Sequence, residues 1–247
     1  MMTPDEARAL GVVPAAAASM ISRLEAGEIH VWAAIPGAEW HDPRIIATLS
    51  PEERDRAARF YRERDQQRYI AAHVLVRTVL GRYVGAEPAG LSFVAGARGK
   101  PRLAGPGPRF NLAHSGGWAV LAVAPGCEVG VDVEVMSRGK VWREVAAVSL
   151  APPEVAWLRA LPESEQEPAF YRLWTAKEAV AKAAGEGMAL PPAEIVVGPL
   201  VAAEPRGSEA VVRGRRWWLR SIALAPDVVA AVASERRPAA VRLLRWP

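Results

Sequence analysis

Residues 130–134 read Gly-Val-Asp-Val-Glu and place two carboxylates on one face of a predicted strand. Side chains at positions i and i+2 of a strand share a face, so Asp132 and Glu134 point the same way while the neighbouring valines point into the core. Two parallel carboxylates stay ionised most easily when a cation lies between them. Oxygen ligands suit Mg²⁺, with Mn²⁺ as a second candidate. The alternative is a half-exposed strand with a solvated acidic face, a common product of alternating patterns.

A second pair of charged residues lies on a helix predicted over residues 173–184. Glu178 and Lys182 stand at positions i and i+4 and therefore share one face of that helix. A surface ion pair of this kind would contribute only about 0.3–0.5 kcal/mol and need have no function. However, the chain has 27 Arg and only four Lys, and two of the four, Lys177 and Lys182, fall in this helix. The helix is therefore a candidate source of a third acidic metal ligand and of a phosphate-binding cation.

Two further cations are predicted in or beside turns. Lys100 stands between Gly99 and Pro101, where a restricted backbone can present its compact ammonium group to a phosphate. His114 precedes a Ser-Gly-Gly turn, and its imidazole could donate a hydrogen bond to the same kind of anion. The alternative for His114 is a histidine that is hydrogen-bonded within the turn. The other histidines lack such a context and are predicted to be structural or on the surface: His30, His41 and His73.

Several classes of protein are excluded by what the sequence lacks. It contains no P-loop, no dinucleotide-binding glycine pattern, no His-Glu-x-x-His and no Gly-x-Ser-x-Gly. Cys127 is the single cysteine, which excludes intrachain disulfides and thiolate metal sites, and it lacks the cationic surroundings of a reactive thiolate. No apolar run approaches 18 residues, and early charged residues argue against a secretory signal, so a cytoplasmic protein is expected. The net charge of +4, without a dense Lys/Arg run, suits a small anionic ligand better than nucleic acid.

The predicted elements occur in the same order in both halves of the chain: a strand, a helix that starts with Pro-x-Glu, and a longer helix. In the first half these lie at 30–35, 51–53 and 69–83; in the second half they lie at 129–135, 152–154 and 173–184. The tripeptide Phe-Tyr-Arg at 60–62 is also repeated, at 170–172. Chance similarity between two ordinary segments is the alternative interpretation.

This repetition predicts an α+β fold, a pseudo-dimer of two similar α+β halves. The halves are predicted at residues 1–125 and 126–247 and are expected to be related by a pseudo-twofold axis. Ligand sites favour such interfaces, so the active site is expected between the halves. Further short strands are predicted at 91–94, 195–197, 210–212, 216–222 and 228–233.

Taken in order, these segments resemble the motifs of the 4′-phosphopantetheinyl transferases of the surfactin-synthetase-activating type. Lys100-Pro101 is similar to the first motif, and residues 110–115 are similar to Phe-Asn-x-Ser-His-Ser. Residues 130–134 resemble Gly-Ile/Val-Asp-x-Glu, and residues 174–185 resemble Trp-x-x-Lys-Glu-Ala/Ser-x-x-x-Lys-x-x-Gly. Each motif is weak by itself, but four in the right order make the match specific. Ala113 departs from the usual Ser and removes one hydroxyl near the phosphates.

The resemblance implies a metal-dependent transferase that uses coenzyme A as its co-substrate. Such an enzyme transfers the 4′-phosphopantetheine arm of coenzyme A to a serine of an apo acyl- or peptidyl-carrier protein and releases adenosine 3′,5′-bisphosphate. By this resemblance Asp132, Glu134 and Glu178 would bind Mg²⁺ or Mn²⁺, and Glu178 or Glu134 would accept the serine proton. Lys182 would act in catalysis at the pyrophosphate. The predicted contacts with the coenzyme A phosphates are Lys182, Lys100 and His114. Three arginines are weaker candidates, of which Arg98 is the best because it is two residues from Lys100; the others are Arg64 and Arg77.

The implied partners are coenzyme A and an apo carrier protein, with neither nucleic acid nor a membrane. The chain is expected to be a monomer, because the second half of a duplicated chain can supply what a symmetric partner otherwise would. A non-catalytic module that binds coenzyme A or a carrier protein is the alternative function, which Ala113 would permit. A third hypothesis is a Mg²⁺-dependent nuclease or phosphatase. An enzyme of that kind would need more clustered acidic residues than Asp132, Glu134 and Glu178.

Overall fold

The computed structural model describes residues 12–13, 23–35, 42–96, 98–136, 141–198 and 207–246. The chain divides into two compact units. The first comprises Met1–Gly96, Pro101–Gly126 and Ala239–Pro247; the second comprises Ala97–Lys100 and Cys127–Pro238. The main boundary lies next to the division expected from the sequence, at 125/126. The last segment differs from that expectation, because it belongs to the first unit and not to the second.

The first unit packs helices on a mixed sheet, in which two strand pairings are parallel and two are antiparallel. Its described helices are α1 (Pro43–Ile46), α2 (Pro51–Ala58) and α3 (Glu63–Val84). Its main sheet has the strand order β1-β11-β2-β6-β5, with β1 (Val12–Val13), β2 (Glu28–Ala34), β5 (Arg109–Ser115), β6 (Trp118–Ala124) and β11 (Ala240–Arg245). Strand β11 joins this sheet because it pairs in parallel with β2. Strands β3 (Phe93–Ala95) and β4 (Pro101–Leu103) form a separate small hairpin.

The second unit has the same kind of architecture, and the predicted α+β class is confirmed. Its described helices are α4 (Val141–Ser149), α5 (Pro152–Ala160) and α6 (Glu163–Ala184). Its antiparallel sheet has the order β7-β10-β9-β8, with β7 (Val129–Val135), β8 (Ser208–Val212), β9 (Arg215–Ala225) and β10 (Val228–Ser234). The strand predicted at 195–197 is wrong: a 3₁₀ turn, Pro192–Glu194, leads there into irregular backbone.

The order of elements supports the predicted repeat. In each unit a strand is followed by short helices and then by a 22-residue helix, α3 or α6, which ends at a glycine in the left-handed conformation, Gly85 or Gly185. An antiparallel hairpin then pairs with the first strand, β6 with β2 and β10 with β7. The Phe-Tyr-Arg repeat is not equivalent, however, because residues 60–62 precede α3 whereas residues 170–172 lie inside α6.

The starts of α2 and α5 also correspond. Ser50 accepts a hydrogen bond from the Glu53 N–H, and the Glu53 side chain accepts one from the Ser50 N–H, which together make a capping box. In α5 the residue before the first proline is Ala151, which has no hydroxyl, but the Glu154 carboxylate still accepts from the Ala151 N–H at 2.8 Å. Both helices therefore begin with a glutamate that accepts from the backbone N–H of the residue before the first proline; Glu154 is buried and Glu53 is partly buried. None of the helices in the described ranges is long and apolar enough to cross a bilayer.

Candidate active site

Helix α6 lies directly against the backbone of β7 because residue 130 is a glycine. A Cβ atom added to Gly130 would lie 2.1 Å from the carbonyl oxygen of Ala179 and 2.3 Å from the amide nitrogen of Ala183. Any side chain at this position would push the helix away from the strand. This close approach brings the face of α6 that carries Glu178 and Lys182 next to Asp132. The sequence marks this glycine only as part of a motif, whereas the structure shows the packing that requires it.

Asp132 is the most buried charged group of this arrangement. It lies at the centre of β7, where it is 5% exposed. Its Oδ1 accepts a hydrogen bond from the Lys182 Nζ at 2.6 Å, and its buried Oδ2 has no hydrogen-bond partner among the described residues. Burial raises the pKa of Asp132 to about 7; Lys182 opposes this rise, and Glu134 and Glu178 add to it. Asp132 therefore does not belong to a solvated acidic face, although Glu134 on the same face is partly exposed, and Lys182 is more than one half of a surface ion pair, because it contacts the strand.

Glu134 and Glu178 complete a group of three electrostatically coupled carboxyls. Burial raises the pKa of Glu178, Lys182 lowers it, and Glu134 raises it further. Within the described residues, no three His, Cys, Asp or Glu side chains are already arranged closely enough to hold a metal ion. The three residues thus lie near one another, but their side chains are not yet arranged to coordinate one ion. The excess negative charge and the unpartnered Asp132 oxygen nevertheless fit a divalent cation, which would supply the missing positive charge.

Lys100 holds the end of α6 against the start of β7. Its Nζ donates to the Glu128 Oε2 at 2.7 Å, to the Val129 carbonyl at 2.9 Å and to the Ala183 carbonyl at 3.1 Å. An ammonium group carries three protons, so these contacts can use all of them. The structure therefore shows an anchoring role for Lys100, while its contact with coenzyme A stays a prediction. Arg98, on the same short segment, is half-exposed with its Nη1 3.4 Å from the Glu186 Oε2.

His114 and Arg68 line a cavity of about 160 Å³ in the first unit. His114 is exposed near the end of β5, and the cavity is completed by residues 115–119 of the β5–β6 hairpin. Arg68 lies on α3, 3.6 Å from Asp65. Two basic side chains at one small polar cavity can bind an anion. Sequence reasoning missed Arg68, because one more arginine on a helix gives no signal in a chain that contains 27.

The structure separates the two weaker arginine candidates. Arg77 is 3% exposed and is paired with Glu53, so its prediction as a coenzyme A contact is wrong. Arg64 is exposed in the first turn of α3, and its role stays a prediction.

The residues predicted to be structural behave as expected where they are described. The His30 ring is buried within hydrogen-bond distance of the Tyr83 hydroxyl, and the His73 Nδ1 is 2.9 Å from the Tyr69 carbonyl. His41 lies outside the described residues. Burial raises the pKa of the Cys127 thiol, which agrees with an unreactive cysteine.

Two family models match the chain and together cover both units. A model described as "4'-phosphopantetheinyl transferase, N-terminal" matches residues 32–126. A second model, described as "4'-phosphopantetheinyl transferase superfamily", matches residues 128–233, which include the three carboxylates and Lys182.

Curated relatives agree with these models. The chain is 35% identical to the 4'-phosphopantetheinyl transferase HetI of Nostoc sp. over 218 residues, which is 85% of this chain and 89% of that protein. It is 36% identical to a 4'-phosphopantetheinyl transferase of Bacillus subtilis and 32% identical to the 4'-phosphopantetheinyl transferase Sfp of Bacillus subtilis (strain 168); each match covers 63% of this chain and 69% of the relative. The similarity to HetI extends over more of the chain than the similarity to Sfp, so the surfactin-activating type is not distinguished from a HetI-like one. The chain therefore belongs to the 4′-phosphopantetheinyl transferase superfamily and is an enzyme of that class.

Proposed function

We propose that this enzyme transfers the 4′-phosphopantetheine arm of coenzyme A to a serine hydroxyl of an apo acyl- or peptidyl-carrier protein, with Mg²⁺ as its metal and adenosine 3′,5′-bisphosphate as the released product. The observation that carries the proposal is the Asp132 carboxylate. One of its oxygens contacts Lys182 at 2.6 Å, and the other is buried without a hydrogen-bond partner in the described part of the chain. A buried carboxylate of this kind needs a cation and suits phosphoryl chemistry.

Asp132, Glu134 and Glu178 would hold the divalent ion. The unpartnered Oδ2 of Asp132 would supply one ligand atom, and the two glutamates would supply further oxygens. When bound, the ion would neutralise charge on the pyrophosphate and on the leaving group. Mn²⁺ has the same preference for oxygen ligands and is expected to replace Mg²⁺.

Glu178 would accept the proton of the carrier serine, with Glu134 as the alternative base. Burial raises the pKa of Glu178, which makes its carboxylate a stronger base than an exposed one. The serine oxygen forms a bond to the β-phosphorus of coenzyme A, while the bond from that phosphorus to the bridging oxygen breaks. The electron pair of the broken bond stays on the bridging oxygen, which leaves as part of adenosine 3′,5′-bisphosphate. Lys182, which is directed toward the same carboxylates, would donate to the negative charge that develops on the leaving phosphate.

The remaining phosphate contacts would come from cations outside the carboxylate group. His114 and Arg68 line a cavity that can take one phosphate of coenzyme A. Arg98 and Arg64 have exposed side chains and would each contact a phosphate of coenzyme A, and Lys100 would contribute if its ammonium group exchanged a protein acceptor for the ligand. A cytoplasmic monomer that acts on a carrier protein, and that binds neither nucleic acid nor a membrane, is part of this proposal.

The test is an assay of intact protein mass. Purified enzyme, coenzyme A and Mg²⁺ are incubated with a panel of apo carrier proteins from fatty acid, polyketide and nonribosomal peptide synthesis. Transfer adds about 340 Da, the mass of the phosphopantetheine group, to the carrier. Asp132→Ala is expected to abolish the shift, and Glu209→Ala, which removes an exposed carboxylate paired with Arg216, is expected to leave it unchanged. No shift on any carrier would overturn the proposal, and binding of coenzyme A without transfer would instead support the binding-module alternative.

A further inference from the structure

Lys177, the residue that precedes Glu178, is a fully buried lysine held by a closed set of contacts. Its side chain is 0% exposed, and its Nζ lies 2.6 Å from the Glu154 Oε2. The same ammonium group donates to the carbonyls of Pro192 at 3.0 Å and Ile195 at 2.7 Å. These three acceptors match the three protons of the ammonium group, so Lys177 has no proton left to donate to a phosphate. It is therefore not the phosphate-binding cation expected from α6.

The Glu154 carboxylate connects this lysine to two other segments. It accepts from the Ala151 N–H at the start of α5 and from the Val197 N–H at 3.0 Å. Helix α6 is thus joined to α5 and to the irregular segment after the Pro192–Glu194 turn through directional polar contacts. Apolar packing alone fixes such a geometry less tightly, because the hydrophobic effect has no direction.

The first unit contains the same arrangement at the same position. Each cation is the fifteenth residue of its 22-residue helix, Lys177 in α6 and Arg77 in α3. Arg77 pairs with Glu53, the glutamate of the α2 capping box, and its Nη1 donates to the carbonyls of Pro88 at 2.8 Å and Leu91 at 3.0 Å. Each unit therefore contains an ion pair between the long helix and the start of the short helix, and in each the same cation also contacts a 3₁₀ turn, Pro88–Gly90 or Pro192–Glu194.

The two units differ in the residues that follow this pair. In α6, Glu178 and Lys182 face β7, whereas the corresponding residues of α3 are Thr78 and Arg82. In the strands, Asp132 is opposite Ala231 of β10, and the corresponding residue Trp32 is opposite Leu121 of β6. Trp32 is fully buried and apolar, so the first unit has no carboxylate at the equivalent place. The first unit therefore contains the ion pair without the catalytic groups.

We propose that Lys177 and Glu154 are positioning residues, which set the rotation of α6 about its axis so that Glu178 and Lys182 face Asp132. This inference rests on the proposed function, since it assigns the pair a role at the metal-binding carboxylates. Lys177 and Glu178 are consecutive and lie about 100° apart around the helix. The ion pair therefore holds one side of α6 while Gly130 admits the neighbouring side to β7.

The rotation of α6 must be fixed accurately, and a directional polar contact can do this. Side-chain ends lie about 5–6 Å from a helix axis, so a rotation of about 20° moves them by about 2 Å. Functional groups must be held within about 0.5 Å and 10–20° of their working geometry. A buried ion pair is a poor source of stability compared with apolar residues of similar volume, because both charges are desolvated. Its benefit in α6 is the fixed orientation of the next residue.

The experiment compares matched double variants of the full chain. Glu154→Gln with Lys177→Met removes both charges in the second unit but keeps an amide oxygen that can accept from the Ala151 N–H. Glu53→Gln with Arg77→Met makes the same change in the first unit. For each variant the dissociation constant for Mn²⁺ is measured by electron paramagnetic resonance, with kcat and KM for carrier modification and the melting temperature.

The melting temperatures show whether both variants are folded, and they should differ little from that of the wild type, because both charges of each pair are removed together. Only the second-unit variant is expected to weaken Mn²⁺ binding, by about tenfold or more, and to lower kcat. The KM for the carrier should change little in both. Equal losses of Mn²⁺ affinity in the two variants, or no loss in the second-unit variant, would overturn the inference. If the double variant does not fold, Glu154→Gln alone is measured in the same way, because it leaves the carbonyl contacts of Lys177 in place.

A crystal structure of the second-unit variant separates this inference from the proposed function. If the wild-type enzyme neither binds Mn²⁺ nor modifies a carrier, the proposed function fails, and the positioning role is judged from the Lys182–Asp132 contact. A separation greater than about 4 Å between Lys182 Nζ and Asp132 Oδ1 would support positioning. A distance that stays at 2.6 Å would contradict it.

Discussion

Lys182 on α6 donates a 2.6 Å hydrogen bond to Asp132 on β7, across fifty residues of chain. The bond neutralises only part of the local charge, because burial and two glutamates still raise the pKa of Asp132 to about 7. Lys182 thus offsets part of the negative charge of the three carboxylates. The Asp132 Oδ2 still has no hydrogen-bond partner among the described residues. In the proposed function, Asp132 would bind the metal ion and Lys182 would contact the pyrophosphate.

Asp132→Asn is expected to lower the rate of transfer by about 100-fold or more, since an uncharged amide is a weak ligand for Mg²⁺. Stability should change by no more than about 1 kcal/mol, because the amide oxygen can still accept from Lys182 and a buried, incompletely paired charge is removed. Rates come from the intact-mass assay and free energies of unfolding from urea titration. Near wild-type turnover in this variant would rule out Asp132 as a metal ligand.

Gly130→Ala is expected to reduce both stability and turnover. The new methyl group would meet the α6 backbone at 2.1 Å, and backbone cannot move aside as a flexible side chain does. Overpacking of this kind typically costs about 1–3 kcal/mol, and it would also move Glu178 and Lys182 away from β7. Gly105→Ala is the control, because its added Cβ meets no described atom within 4 Å. Equal behaviour of the two variants would show that α6 does not depend on this contact.

Removal of divalent ions is expected to abolish transfer, and Mg²⁺ or Mn²⁺ should restore it. Ligand binding to the folded state raises its stability, by about 2.7 kcal/mol when the ligand is at 100 times its dissociation constant. Addition of Mg²⁺ should therefore raise the melting temperature of the wild type more than that of Asp132→Asn. Transfer that persists in the presence of a chelator would contradict a metal-dependent mechanism.

Arg68→Ala is expected to raise the KM for coenzyme A by about tenfold or more, with a small effect on kcat, because hydrogen bonds to charged groups contribute about 1.5–3 kcal/mol. His114→Ala should act in the same direction, since both side chains line one cavity. Arg59→Ala, at the end of α2, removes an exposed arginine and serves as the control. An unchanged KM in the Arg68 and His114 variants would remove this cavity from the coenzyme A site.

The stability of the first unit should decrease as the pH falls below about 6.5. Burial lowers the pKa of His30 from 6.5, so the unfolded chain binds a proton at this position more readily than the folded chain. Burial acts on His73 in the same direction. Below pH 6.5, each such histidine can add up to about 1.4 kcal/mol per pH unit to the slope of the unfolding free energy against pH. His30→Gln should flatten the curve of unfolding free energy against pH between 5 and 7; an unchanged slope would show that His30 does not set it.

Much of the fold could be predicted because the signals are local. Capping residues, the Pro-x-Glu helix starts and the valine alternation depend on neighbours in sequence, so the α+β class and the order of elements in both units follow from them. The shared face of Asp132 and Glu134, and that of Glu178 and Lys182, also follow, because strand and helix periodicity alone determine them. The family resemblance came from these same segments; the comparisons confirm the superfamily but do not distinguish the surfactin-synthetase-activating type from a HetI-like one.

The tertiary structure decided what each cation does. Lys177 and Arg77 are buried in ion pairs, Lys100 anchors the end of α6, and Lys182 reaches Asp132. In sequence these residues look alike, because a charged side chain acquires its role from burial and from partners that lie far away along the chain. The assignment of β11 to the first unit has the same cause, since it depends on pairing with β2 across the whole chain.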